Sequence, residues 1–195
     1  MTAAADRPRL AKLQPVELDD RQRALYDDIA EGRRSEGAQV FRLVDEQGRL
    51  EGPFNAFLLQ PALGSALQAL GAAVRYDTSL SDRSREIAIL VVAAACDCEF
   101  ERYAHEAHGR AVGLTDTELA AVRASTYDVL PAPAERVVAR TVDALARRGD
   151  LDDESYAAVV DSVGLPATFE LLTLVGYYRA LALQLRVFRV TAPSR

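Results

Sequence analysis

The chain has 195 residues, a net charge of −6 and 49% hydrophobic residues. That length fits one domain with a sizeable core, and the acidic balance argues against a broad nucleic-acid surface. Two cysteines exclude a disulfide scaffold, MTAAADRPRLAK lacks the apolar core of a secretion signal, and Ile87 to Ala95 is about half a membrane span, so a soluble cytoplasmic protein without membrane contact is expected.

Residues 1–15 are small, charged and punctuated by proline, and read as an arm before a helical domain over 16–195. Asp19 or Asp20 suits an N-cap for a helix to about Arg33, with Leu25, Tyr26 and Ile29 on its apolar side. Residues 34–53 carry Gly37, Gly48 and Gly52; within them FRLVDEQGRLEG fits a short hairpin or an ordered loop. Gly52-Pro53 signals a turn, and Pro61 suits the first turn of a helix carrying Leu63, Leu67, Leu70 and Val74. Ser79-Leu-Ser-Asp opens the next helix, with Glu86 on its second turn. Thr115-Asp-Thr-Glu is a capping box for a helix to about Ala124.

A helix from about Ala134 to Arg148 should end at Gly149, and Arg147 and Arg148 suit its C-terminal dipole. Asp152 or Asp153 starts another, ending near Gly164. Pro166 opens the last, which is apolar nearly all round and should be buried in the domain or in a subunit interface. Almost no segment has strand periodicity. The fold expected is all-α, a single-domain bundle of about seven helices.

The chemistry-bearing residues concentrate in REIAILVVAAACDCEFERYAHEAHGRAVG, from Arg85 to Gly113, which holds both cysteines and both histidines. In one unbroken helix Glu86 and His105 would lie about 28 Å apart at 1.5 Å per residue. A break at Cys96 to Glu99 would let them meet, with Asp97 as N-cap and Cys98 at the first position of the new helix, where a thiol's pKa is lowered. Propensity leaves this broken pair and one continuous helix both open. Cys98, Glu101, His105 and His108 then share a face.

Glu101 and His105 are i and i+4, so the carboxylate can orient the imidazole or raise its basicity for acid–base work, or the pair is only solvated decoration. Glu86 leads an apolar run, so its carboxylate is expected to be buried and to need a partner. Cys96-x-Cys98 is not the C-x-x-C redox spacing, and i, i+2 side chains point apart on a helix; Cys96 reads as a small core residue. Glu101, His105 and His108 supply three metal donors without a clear fourth, so no metal is expected, and His108 reads as a surface or interface residue. Tyr177, Tyr178 and Arg179 interrupt the apolar last helix; they either line a pocket or sit at an oligomer interface.

Arg85-Glu86, the apolar run, Glu99-Phe-Glu-Arg102, His105 and Gly113-Leu-Thr115 with Glu118 together resemble the carboxymuconolactone decarboxylase family, which includes the alkylhydroperoxidase D-like proteins. GPFNAFLLQPALGSAL and FELLTLVGYYRALALQLRVF resemble segments of its decarboxylase-like branch, so the likeness covers about residues 45–190. The resemblance implies an all-α fold of the alkylhydroperoxidase D-like type, homo-oligomeric as a trimer or hexamer. Peroxidase members use a Glu, a C-x-x-C pair and a His, which map to Glu86, Cys98, Glu101 in place of the second cysteine, and His105. The decarboxylase branch needs neither metal nor cofactor, only proton transfers and a carboxylate site.

The leading expectation is a cofactor-free acid–base enzyme, a lyase acting on a small carbonyl, lactone or carboxylic acid metabolite. His105, Glu101, Glu86 and Cys98 are its candidate catalytic residues, and Arg85, Arg102, Asn55 and Tyr178 its candidate substrate-binding residues. The alternatives are a thiol-dependent antioxidant protein centred on Cys98 and a non-catalytic oligomeric protein that binds a small molecule.

Overall fold

The computed structural model describes residues 7–35 and 41–192. Residues 1–6 of the expected arm, and Gly37, lie outside the described residues. Among the described residues eight α-helices are present and no named strand: α1 (Asp20–Ala30), α2 (Pro53–Phe57), α3 (Pro61–Tyr76), α4 (Asp82–Ala95), α5 (Glu99–Ala111), α6 (Asp116–Arg123), α7 (Pro133–Arg148) and α8 (Asp153–Phe188). Two elements differ from the sequence reading. Gly52, at φ 59°, turns the chain so that Pro53 can open the one-and-a-half-turn α2. The last two expected helices run together as α8, broken at Gly164, whose φ is 83°.

The chain divides into two compact units, Met1–Ala73 with Leu183–Arg195, and Val74–Ala182. In the first unit Asp19 caps α1 by accepting from the amides of Arg21 and Gln22, and the Gln22 side chain accepts from the Asp19 amide. Leu25 and Ile29 of α1 are buried, as are Leu43, Leu50, Phe54, Phe57 and Leu58. The stretch that fitted a hairpin or a loop makes one antiparallel bridge, Val44 to Leu50. Asp45 organises it by accepting from the amides of Gln47 and Arg49 and from Arg49 Nε. The segment before α1 is tied down by Asn55, whose Oδ1 accepts from the Leu13 amide while its Nδ2 donates to the Ala11 carbonyl.

The second unit is built round α4. Ile87 to Ala93 are buried at every position, because α5, α6 and α7 all pack on this helix. Each large aliphatic side chain so buried contributes roughly 1.5–3 kcal/mol. Arg83, at the helix start, joins three elements. It donates to Glu135 of α7 (2.8 Å), Glu118 of α6 (2.7 Å) and the Gly113 carbonyl (2.6 Å). The Thr115–Glu118 capping box forms as the spacing predicts.

The α4–α5 break exists, but its chemistry differs from the expectation. α4 closes in a Schellman motif: the Cys98 amide donates to the Ala93 carbonyl, the Asp97 amide to that of Ala94, and Asp97 takes the left-handed conformation, φ 48°. Asp97 is thus the residue that ends α4. Cys98 is the N-cap of α5, and its side chain makes no capping hydrogen bond.

α8 has two apolar faces. Leu171, Leu174, Val175, Leu181 and Leu185 are buried, whereas Leu165, Phe169, Leu172, Leu183 and Val187 are exposed. Contrary to the sequence expectation, this helix is long and apolar enough to cross a membrane by length and composition.

Candidate active site

The reversal between α4 and α5 brings together side chains that are nineteen positions apart. His105 Nδ1 lies 2.7 Å from Glu86 Oε2. Its other nitrogen, Nε2, lies 3.3 Å from Glu101 Oε2, one turn back on α5. All three groups are buried, with His105 only 6% exposed. Tyr178 of α8 meets the imidazole edge to face, ring centroids 5.3 Å apart, and Tyr177 stacks edge-on against Tyr178.

The electrostatics follow from that geometry. Burial works against a charge on His105, but the field of Glu86 and the hydrogen bonds to Glu101 and Glu86 outweigh it and push its pKa up to about 9. Burial likewise opposes the Glu86 carboxylate. His105, helped by Arg75 and His108, holds its pKa below the ordinary value all the same. At neutral pH the centre is therefore an imidazolium between two carboxylates, with both ring nitrogens donating. Burial raises the Tyr178 phenol well above its usual range, with Glu101, Tyr177 and Glu86 adding to it, so it stays a phenol.

Two members of the cluster were not singled out from the sequence in this role. Arg75, in the last turn of α3, approaches Glu86 Oε1 with Nη1 at 3.6 Å. Its Nη2 lies 2.9 Å from His108 Nδ1 and 3.2 Å from Nε2. His108 is half-buried, and its ring lies 5.6 Å from that of His105. A guanidinium only donates, so the His108 nitrogen that receives it carries a lone pair. His108 thus belongs to the cluster, where the sequence suggested a surface or interface residue. Arg75 had no distinguishing signal: it is one basic residue among 23.

Cys98 is buried, and burial pushes its thiol pKa up to about 11, with the charges of Glu101 and Cys96 adding to the effect against two backbone hydrogen bonds. The lowered pKa expected at a helix start is reversed because desolvation dominates. Cys96 and Cys98 are both free thiols.

The other candidate residues lie elsewhere. Arg85 pairs with Asp82 and donates to the Leu80 carbonyl (3.4 Å), at the start of α4. Arg102 is half-buried on α5, and no ion pair joins it to Glu86, Glu101 or His105. Asn55 belongs to the first unit, where it lines a cavity of about 640 Å³ together with Lys12, Arg49, Glu51 and Thr191. A second cavity of about 360 Å³, in the second unit, is lined by Tyr127, Arg140, Asp143 and Arg148. Neither of these two cavities includes His105. Among the described residues no three His, Cys, Asp or Glu side chains are arranged to hold a metal ion.

Residues 61–144 match the Carboxymuconolactone decarboxylase family, a span that contains Arg75, Glu86, Cys98, Glu101, His105 and His108. No functionally curated protein matches the chain. Among solved structures, an alkylhydroperoxidase AhpD core from Ralstonia eutropha JMP134, an uncharacterised peroxidase-related protein, superposes with a TM-score of 0.77 at 14% identity, over 96% of this chain and 93% of that one. An Agrobacterium tumefaciens protein of unknown function, provisionally described as an AhpD antioxidant defence protein, superposes with a TM-score of 0.67 at 17% identity, over 74% of this chain and all of that one. At these identities the likeness shows a shared fold. Residues 61–144 are thus similar to the carboxymuconolactone decarboxylase family, and the chain shares the all-helical fold of the AhpD-like structures.

Proposed function

We propose that the protein is a cofactor-free acid–base enzyme, a lyase acting on a small carbonyl, lactone or carboxylic acid metabolite, with His105 as its proton donor. The observation that carries this reading is the buried His105 ring held between two buried carboxyl groups, 2.7 Å from Glu86 and 3.3 Å from Glu101. Glu86 makes the shorter contact and fixes the ring through Nδ1. The longer contact at Nε2 is the easier one for a substrate oxygen to replace, so the Nε2 proton is the one transferred. In a decarboxylation the C–COO⁻ bond breaks, CO₂ leaves, and the electron pair passes into the conjugated carbonyl. The His105 proton then quenches the resulting enolate. Neutral imidazole is left between Glu86 and Glu101 and is re-protonated from solvent.

The test is a screen of lactone acids for CO₂ release, followed by His105→Ala. Turnover should fall roughly 10²–10⁴-fold with the helical circular dichroism spectrum unchanged. Turnover equal to that of the parent sinks the proposal. The deep burial of His105 favours one other reading, a non-catalytic binding protein; loss of turnover in the variant separates the two. A thiol peroxidase has less support, because Cys98 is buried and stays protonated at neutral pH. Peroxide consumption abolished by Cys98→Ser would reinstate it. For assembly, we propose a homo-oligomer formed through the exposed apolar face of α8, in the cytoplasm.

A further inference from the structure

Arg75 is the member of this cluster whose bonding is weakest for its chemistry. It carries five N–H donors in a planar fork suited to a carboxylate. The carboxylate it faces, Glu86 Oε1, is 3.6 Å away, beyond a good hydrogen bond. Its close partner is the His108 ring, and an imidazole offers a guanidinium at most a single lone pair. The Arg75 side chain is 18% exposed and His108 is half-buried, whereas Glu86, Glu101 and His105 are all nearly closed off. The Arg75–His108 pair is therefore the more exposed edge of the cluster.

We propose that Arg75 is the anchor for a substrate carboxylate, and that His108 is a displaceable partner which the carboxylate competes off the guanidinium. A charge-assisted fork is roughly twice as strong as a bond to a neutral acceptor, so the exchange runs towards the acid. The geometry also limits substrate size. The ring to be displaced lies 5.6 Å from the His105 ring, so one molecule can reach both groups only if its carboxylate and carbonyl are a few bonds apart. Short oxo acids and lactone acids meet that condition. This inference rests on the acid–base reading for its second contact, at His105, but the carboxylate anchor stands or falls separately.

The chain has two histidines, so a ring-labelled sample gives two sets of imidazole NMR signals. Levulinate, a γ-oxo acid, is the probe and its methyl ester the control. Levulinate should perturb the His108 signals saturably and bind about ten- to a hundredfold more tightly than the ester. Arg75→Gln should erase the preference for acid, Arg75→Lys should keep part of it, and His108→Ala should tighten levulinate binding by removing its competitor. A structural role for His108 would loosen binding instead. Equal binding of acid and ester by the parent protein, no saturable levulinate binding, or weaker binding in His108→Ala overturns the proposal. Failure of His105→Ala to lose turnover would overturn the acid–base reading and leave the acid-over-ester comparison untouched.

Discussion

At His105 the direction of the pKa shift decides which half of acid–base chemistry is available. The folded value of about 9 stands above the ordinary 6.5, so between those pH values the native state holds a proton that the unfolded chain releases. Native protons in excess make stability fall as pH rises. The stabilisation is fully present below about pH 6.5 and lost through about pH 9. Glu86 acts in the opposite sense: its folded pKa is depressed, so its contribution is lost as pH falls through that lower value. Thermal melts should therefore drop from pH 7 towards pH 10, and His105→Gln should flatten that limb. Turnover should follow the same limb if His105 is the acid. A rate that climbs through pH 9 would make the neutral ring a base instead. Glu86→Gln should cost on the order of 100-fold in rate and Glu101→Gln less, since an orienting carboxylate matters most at the shorter contact. Comparing kcat for the two variants checks that order.

Helix ends position this site, and their chemistry was only partly legible in the sequence. The capping box at Thr115 follows local rules and occurs as the residues predict. The break before α5 was suggested by Asp97, yet Asp97 works as a left-handed C-terminal residue of α4. N-cap and left-handed C-terminal positions both favour a short polar side chain, so residue type alone could not choose between them. Arg75 was harder still, because its role arises from packing across three helices that no spacing in α3 announces. α5 ends as α4 does: the Leu114 amide reaches the Gly109 carbonyl, and Gly113 sits at φ 90°. A Cβ at Gly113 would lie 3.8 Å from the Arg83 guanidinium, an ordinary contact, so the strain in Gly113→Ala is purely conformational. That variant should lose about 1–2 kcal/mol and melt a few degrees lower, with its His105 signals unmoved. A loss larger than about 4 kcal/mol would mean the Arg83–Glu118–Glu135 network had broken as well.

For the whole molecule, the exposed row on α8 is the feature that a lone chain leaves unexplained. Leu165, Phe169, Leu172, Leu183 and Val187 repeat at the spacing of one helical face, and Phe169 is 69% exposed. Single exposed apolar residues are ordinary, whereas an aligned row on one helix marks an association surface. The opposite side of the same helix carries Tyr178 against His105, so an assembly through this row would stiffen the element that roofs the candidate site. Light scattering on the parent protein should give a multiple of 21.2 kDa, three- or sixfold by the family resemblance. Phe169→Asp with Leu172→Asp should lower that mass, since a buried unpaired carboxylate at an interface costs several kcal/mol. It should also make the melting temperature insensitive to protein concentration, because association no longer stabilises the fold. A monomeric parent protein, or an unchanged mass in the double variant, would remove α8 as the interface. If the smaller species also loses turnover while keeping its helical content, the packing of Tyr178 on His105 depends on assembly; if turnover persists, each chain holds a complete site.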